Sequence, residues 1–281
     1  MNASVFLLVL FAAFLHAFWN AIVKGAGDKA VMLGLIALGH VVPGIALVLW
    51  FAPPIAASIP YIIASTVIHW AYYIGLNAAY RVGDLSVVYP VARGLAPVMV
   101  ALGAQVWADE TLPLAAWCGI LAISGGIMLL AFMRKGAVTP NAGLPAAVGV
   151  ALTIAGYSIV DGIGIRLSQS PLGYIGWLFV AEVLVVFYVF GTRWPRVRAL
   201  SPRAAALGLF GGVVSGSAYA LVLIANTMAP LGIVSALRET SVIFAALIGV
   251  WWFAEGPRRS RLLAAVVVGA GIVVIAGSKG V

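Results

Sequence analysis

A single cysteine in 281 residues, Cys118, leaves no partner for an intramolecular disulfide and no thiolate set for a zinc site. Acidic side chains are scarce too: eight in all, within a charged fraction of only 9%. The three histidines form no HExxH motif and no aspartates pair at metal-ligand spacing, so nothing in the sequence calls for a metal or other cofactor. No GxxxxGK[ST] phosphate loop occurs, which excludes a self-contained nucleotide-driven pump. What the chain has instead is apolar bulk, 64% hydrophobic residues with a mean hydropathy of +1.13, beyond what a soluble globular domain carries.

About 20 apolar residues cross the hydrocarbon of a bilayer, so the length suits roughly ten crossings and no soluble domain. Gly, Pro and charge divide the sequence into apolar runs at 3–23, 30–52, 60–80, 86–107, 112–133, 144–166, 172–191, 204–226, 230–253 and 261–277. All ten read as helices, because open strands leave backbone groups unsatisfied in lipid. The first run lacks the basic flank of a signal peptide and continues past Trp19, so it counts as a helix. Cys118, inside the fifth run, reads as a packing residue.

Arg93 and Arg238 each lie inside an apolar run and each precedes a glutamate, Glu110 or Glu255, by 17 residues. A charge at the bilayer centre costs about 2.5–3.5 kcal/mol even on the lenient insertion scale, so matched positions point to a duplication with a polar interior. The offset of 145 also maps Trp107 onto Trp252, Gly126 onto Gly271 and His16 onto Asp161. Two five-helix units result, 1–137 and 138–281. Since five is odd, the second enters from the opposite side, giving an inverted repeat around a central cavity.

The net charge of +8 lies in short clusters between apolar runs, where juxtamembrane positive charge belongs, and does not indicate a nucleic-acid partner. Odd-numbered loops hold Lys24, Lys29, Arg81, Arg134, Lys135, Arg193, Arg196, Arg198, Arg203, Arg258, Arg259 and Arg261; even loops and termini hold only Arg166 and Lys279. The positive-inside rule therefore places odd loops in the cytoplasm and both termini outside.

Two pieces carry a family likeness: the stretch from Ala78 to Pro97 (AAYRVGDLSVVYPVARGLAP) and the helix end with its acidic turn from Trp107 to Leu112 (WADETL). The pattern recurs at Ser235 to Ser241 and at Trp251 to Gly256 (WWFAEG), so the likeness spans essentially the whole chain. The chain resembles the EamA type of the drug/metabolite transporter superfamily. That resemblance implies ten helices around a cavity lined by the first, third and fourth helices of each half, and export of small metabolites, amino acids among them, through a bacterial-type inner membrane. It also implies cytoplasmic termini, against the charge count.

Candidate site residues follow from polar groups in apolar runs. Arg93 is the first choice for substrate contact, since a guanidinium matches a planar carboxylate. Pro90 and Pro97 withhold hydrogen bonds from the Ser86 and Arg93 carbonyls, so the fourth helix is expected to bend there. The alternative is a permanent ion pair of Arg93 with Asp161 or Glu239. Arg238 is a second candidate ligand, or a partner in helix pairing beside Glu239. His16, Asp161 and Glu239 are candidates for proton coupling, while His40 and His69 read as interhelical hydrogen-bonding groups. Glu182, in the seventh run, reads as hydrogen-bonded to a neighbouring helix. Tyr73, Asn77, Tyr89 and Tyr219 form a possible cavity wall, or else pack; Trp50, Trp107, Trp194, Trp251 and Trp252 read as interfacial anchors. Small residues at Gly119, Ser124, Gly125 and Gly126, and at Ala265, Gly269, Ala270 and Gly271, permit close helix approach, either between the halves or in a dimer seam.

These features favour a secondary transporter working by alternating access without ATP, on amino acids or similar small amphiphiles, as a monomer or homodimer in the lipid bilayer. The chain is not read as an enzyme. The alternative is an intramembrane enzyme on a lipid-linked phosphate, with Arg93 and Arg238 on phosphate and Glu239 or Asp161 as acid or base.

Overall fold

The computed structural model describes residues 2–24, 28–82, 85–133, 143–251 and 258–278. Among these the regular structure is helical and there is no strand. The helices are α1 (Ala3–Lys24), α2 (Lys29–Trp50), α3 (Ile59–Val82), α4 (Leu85–Trp107), α5 (Leu114–Phe132), α6 (Gly143–Leu167), α7 (Pro171–Ala181), α8 (Val183–Arg198), α9 (Pro202–Asn226), α10 (Leu231–Arg238), α11 (Ser241–Trp251) and α12 (Arg258–Gly277). Pro171–Arg198 and Leu231–Trp251 each make one crossing in two pieces, and with the other long helices they give nine spans; the shorter apolar stretch Leu262–Gly277 supplies a tenth. This is an all-α, multi-pass membrane protein, as the apolar runs require.

Helix ends sit where local chemistry puts them. Asp28 caps α2 by accepting from the Ala30 and Val31 amides (3.1 and 3.2 Å). The Val31 bond, with help from Ala30 and Arg196, holds the Asp28 carboxyl below the usual aspartate range. Ser201 caps α9 through the Ala204 amide, with Pro202 in the first turn. The tryptophans at span ends, Trp50, Trp107, Trp194 and Trp251, are exposed, as anchors at a membrane boundary should be.

α4 runs through Pro90 and Pro97 as one continuous helix, since neighbouring helices in a membrane bundle can accommodate a missing backbone bond. The interruptions fall in spans seven and nine, where no proline signals them. Glu182 separates α7 from α8, and Glu239 and Thr240 separate α10 from α11. There Glu239 N donates to Ala236 O, Thr240 N to Leu237 O and Val242 N to Glu239 O, a tightened i+3 pattern that interrupts the α-helical ladder. Cys118 also departs from its reading, being exposed on the outside of α5 and not packed.

Much of the packing pattern maps onto itself when the halves are exchanged. α5 lies along α12, α4 against α10, and α2 against α7; α3 on α6 corresponds to α9 on α1, and α4 on α6 to α10 and α11 on α1. The small residues of α5 and α12 serve this internal seam: a Cβ at Gly119 would meet the Gly271 carbonyl at 2.8 Å, and the reverse holds at Gly271. A second glycine seam joins α2 to α9, where a Cβ on either Gly39 or Gly212 would lie 2.8 Å from the other's Cα.

Candidate functional site

Arg93 on α4 and the α10–α11 break meet in the middle of the bundle. Arg93, Arg238 and Glu239 are buried, Glu239 completely. Arg93 Nε lies 2.8 Å from Glu239 Oε2, an ion pair whose angle is too oblique for a well-directed hydrogen bond, and Arg93 Nη2 donates to Ser241 Oγ at 3.3 Å. The Tyr89 ring centroid stands 6.0 Å from the Arg93 guanidinium carbon. Arg238 is placed differently. Its Nε is 3.9 Å from Glu239 Oε1, too far for a hydrogen bond, and its Nε and Nη2 are buried without a hydrogen-bond partner among the described residues. Two guanidinium groups thus share one carboxylate.

Arg238 faces a small cavity whose wall also holds Ser158, Tyr219, Asn226 and Ser235. Ser235 Oγ is likewise buried and unpartnered among the described residues. The cavity therefore presents one cation and several hydroxyl or amide groups inside apolar walls supplied by Val100, Val222 and Leu231. His16, on α1, receives a long 3.4 Å contact from Trp19 Nε1 and lies within Coulombic reach of both arginines.

Asp161 on α6 is completely buried and forms a second polar centre. Tyr174 Oη donates to Oδ1 at 3.0 Å and Tyr219 Oη to Oδ2 at 2.5 Å, with Ser65 also hydrogen-bonded to the carboxylate. One side chain thereby ties α3, α6, α7 and α9 together. The Tyr219 hydroxyl is committed to Asp161 while its ring borders the Arg238 cavity. Tyr73 lies elsewhere, in a separate cavity with Glu182. His40 Nδ1 stands 3.0 Å from Glu182 Oε2 across α2 and the α7–α8 break. The side chain of Asn77, and Trp252 and Glu255 entirely, lie outside the described residues.

On the even-loop side a latch closes over the Arg238 cavity. Arg166 Nη2 pairs with Glu110 Oε1 at 2.7 Å, and Arg166 also donates to the Asn226 and Ala229 carbonyls (2.7 and 2.9 Å). Both Glu110 oxygens accept from the Leu231 amide, at 3.0 and 2.8 Å, holding the start of α10. Asp109, in the left-handed region (φ 52), makes the turn that returns Glu110 toward the bundle. The loops between spans four and five, six and seven, and eight and nine are thus cross-linked by two side chains.

Of the residues singled out in the sequence, Arg93, Arg238, Tyr89 and Glu239 meet in the middle of the bundle near His16, while Asp161 and the Tyr219 hydroxyl form the second polar centre. Sequence reading missed Ser158, Asn226, Ser235, Ser241 and Tyr174, whose only signal is a polar group in an apolar run. It also missed the latch, although Arg166 was conspicuous as a lone basic residue on the even side.

Comparison with known proteins gives the fold a context. A solved crystal structure superposes with a TM-score of 0.77 over 98% of this chain and 96% of its own length, at 19% identity, which establishes a shared fold. No curated protein matches the sequence. Residues 141–277, the second five-span unit, match the EamA-like transporter family. That match covers just under half of the chain, and its second five-span unit is similar to EamA-like transporters, which belong to the drug/metabolite transporter superfamily.

Proposed function

We propose that this transporter exports small carboxylate-bearing metabolites, amino acids foremost, across a bacterial-type inner membrane by alternating access and without ATP. The observation that carries the reading is the surplus guanidinium. Arg93 and Arg238 share Glu239, so one buried positive charge is left over, and its donors face a cavity lined by hydroxyl and amide groups. An uncompensated buried charge is costly, and a carboxylate supplies both the missing charge and acceptors for Nε and Nη2. Arg93 then holds Glu239 in place, and Ser158, Ser235 and Asn226 meet the remaining polar groups of the substrate.

The two five-span units act as inverted repeats that rock about this site. The Arg166–Glu110 latch is the closed gate on the even-loop side, and its release admits or discharges substrate there. Asp161 and His16, at equivalent places in the two units, are the groups that couple protons to the cycle. Asp161 is suited to the task because its charge state decides whether the Tyr219 hydroxyl is held at the cavity wall.

Counterflow of labelled amino acids into proteoliposomes tests the proposal. Saturable exchange that is blocked by unlabelled amino acid but not by the corresponding decarboxylated amine is expected. Equal block by the amine, or no exchange across a panel of amino and organic acids, would overturn it. Asp161→Asn and His16→Ala should alter the pH profile of exchange, and an unchanged profile in both removes them from coupling.

A further inference from the structure

The cavity between α3 and the α7–α8 break shares only the Tyr219 ring with the lining of the Arg238 cavity. It is small and partly open, and its wall includes His69, Trp70, Tyr73, Phe179, Tyr219 and Glu182. Glu182 is the one carboxylate on that wall, and no lysine or arginine lines it. The rings are braced from behind. Phe179 stacks on His40 (centroids 5.2 Å apart), His69 on Tyr157 (4.2 Å), Trp70 meets Tyr188 edge-on (5.7 Å), and Tyr73 leans on Tyr72 (5.6 Å). Glu182 sits where α7 gives way to α8, with its side chain 23% exposed, so the carboxylate is neither sealed in the core nor free in solvent.

The other repeat shows that this opening is written in side-chain sizes. The 145-residue offset maps His69, Trp70 and Tyr73 on α3 onto Val214, Ser215 and Ala218 on α9. It maps the Gly39–Gly212 seam, where α2 and α9 touch backbone to backbone, onto Leu184 and Val67. Those two bulky residues are 53% and 63% exposed, and α3 packs only lightly on α7. Small residues close one seam; aromatic and branched residues hold its counterpart open.

We propose that this cavity is a binding site for an organic ammonium ion, with Glu182 as counter-ion and the rings of Trp70, Tyr73 and Phe179 around the cation. A quaternary or alkylated ammonium has few or no N–H donors, so it is recognised by ring quadrupoles and a nearby carboxylate, here Glu182, which stays partly exposed beside His40. The apolar flank at Val67 and Leu184 favours a ligand with a hydrocarbon body that enters sideways between α3 and α8. This site stands or falls independently of the Arg238 cavity.

Isothermal titration of the purified full-length protein in nanodiscs with choline and with 3,3-dimethylbutan-1-ol, an uncharged isostere, tests the proposal. Choline should bind saturably and at least tenfold more tightly than the alcohol. Glu182→Gln, which keeps the shape, should remove that preference, and Trp70→Leu should weaken choline at least tenfold. Arg238→Ala should leave choline binding unchanged, so failure here is distinguishable from failure of the carboxylate reading. Should Glu182→Gln not fold, Trp70→Leu and Tyr73→Leu carry the test, with folding followed by thermal unfolding. Equal affinity for the two probes, a preference that survives these substitutions, or no saturable choline binding to folded protein would overturn the proposal.

Discussion

Replacing Arg93 and Arg238 by alanine, one at a time, should change stability by different amounts, although the two side chains are equally buried and share one carboxylate. Arg93→Ala removes the close partner of a fully buried glutamate. Breaking a buried pair in this way costs about 3–5 kcal/mol. Arg238, already 3.9 Å from Glu239, can swing in and recover part of that, so the lower end, about 3 kcal/mol, is expected. At roughly 2–4 °C per kcal/mol for larger domains, that is a fall of about 6–12 °C in unfolding temperature. Arg238→Ala removes the surplus charge and leaves the Arg93–Glu239 pair intact. Lost packing of the arginine stem and relief of an unpaired charge oppose each other, so the change should stay within about 1 kcal/mol of zero. Thermal unfolding of the purified protein in one detergent, without substrate, reads both. If Arg238→Ala falls as far as Arg93→Ala, Arg238 is a structural partner and the surplus-charge argument is wrong.

Other consequences follow from contacts at the edges of the site. Arg166→Ala severs the latch, so in a Cys118→Ala background a cysteine substituted for Asn226 should react several-fold faster with a membrane-impermeant maleimide; unchanged labelling would deny the gate. Gly212→Val forces α2 and α9 apart where a Cβ meets Gly39 Cα at 2.8 Å, and the overpacking should cost about 1–3 kcal/mol in thermal unfolding, whereas Val67→Gly at the equivalent open position should not disrupt a seam. Asp28→Ala should cost about 1 kcal/mol at neutral pH by removing the α2 cap. Because the folded Asp28 carboxyl lies below its ordinary range, that contribution is present above the unfolded aspartate pKa and fades as pH falls through the folded value. A wild-type advantage over Asp28→Ala that persisted undiminished in acid would contradict the cap.

The ten spans were legible because a crossing demands about 20 apolar residues, and few sequences supply them by accident. The 145-residue correspondence was legible because buried charges are rare enough in apolar runs to act as markers. The two interrupted spans went unread for a physical reason. Pro90 and Pro97 advertise missing backbone bonds, yet a crowded helix bundle accommodates them, while Glu182 and Glu239 interrupt their helices without any proline or glycine cue. Pairing was legible only in part, with Glu239 one of two candidate partners for Arg93. Arg238 and Glu239 are neighbours in the chain, but consecutive positions on a helix point about 100° apart, so which one meets α4 depends on helix rotation set by packing. The latch escaped because Glu110, in a loop, and Arg166, in the last turn of α6, are far apart in sequence, and only the folded backbone brings them within 2.7 Å.

The central claim is that the unpaired guanidinium of Arg238 receives the substrate's carboxylate. Counterflow of a labelled amino acid in proteoliposomes, compared between wild type and Arg238→Ala at matched protein incorporation, tests it most directly. Hydrogen bonds to a charged group contribute about 1.5–3 kcal/mol each, so losing the arginine should reduce apparent affinity roughly a hundredfold at 1.4 kcal/mol per decade. Wild-type exchange in the Arg238→Ala protein would contradict the account.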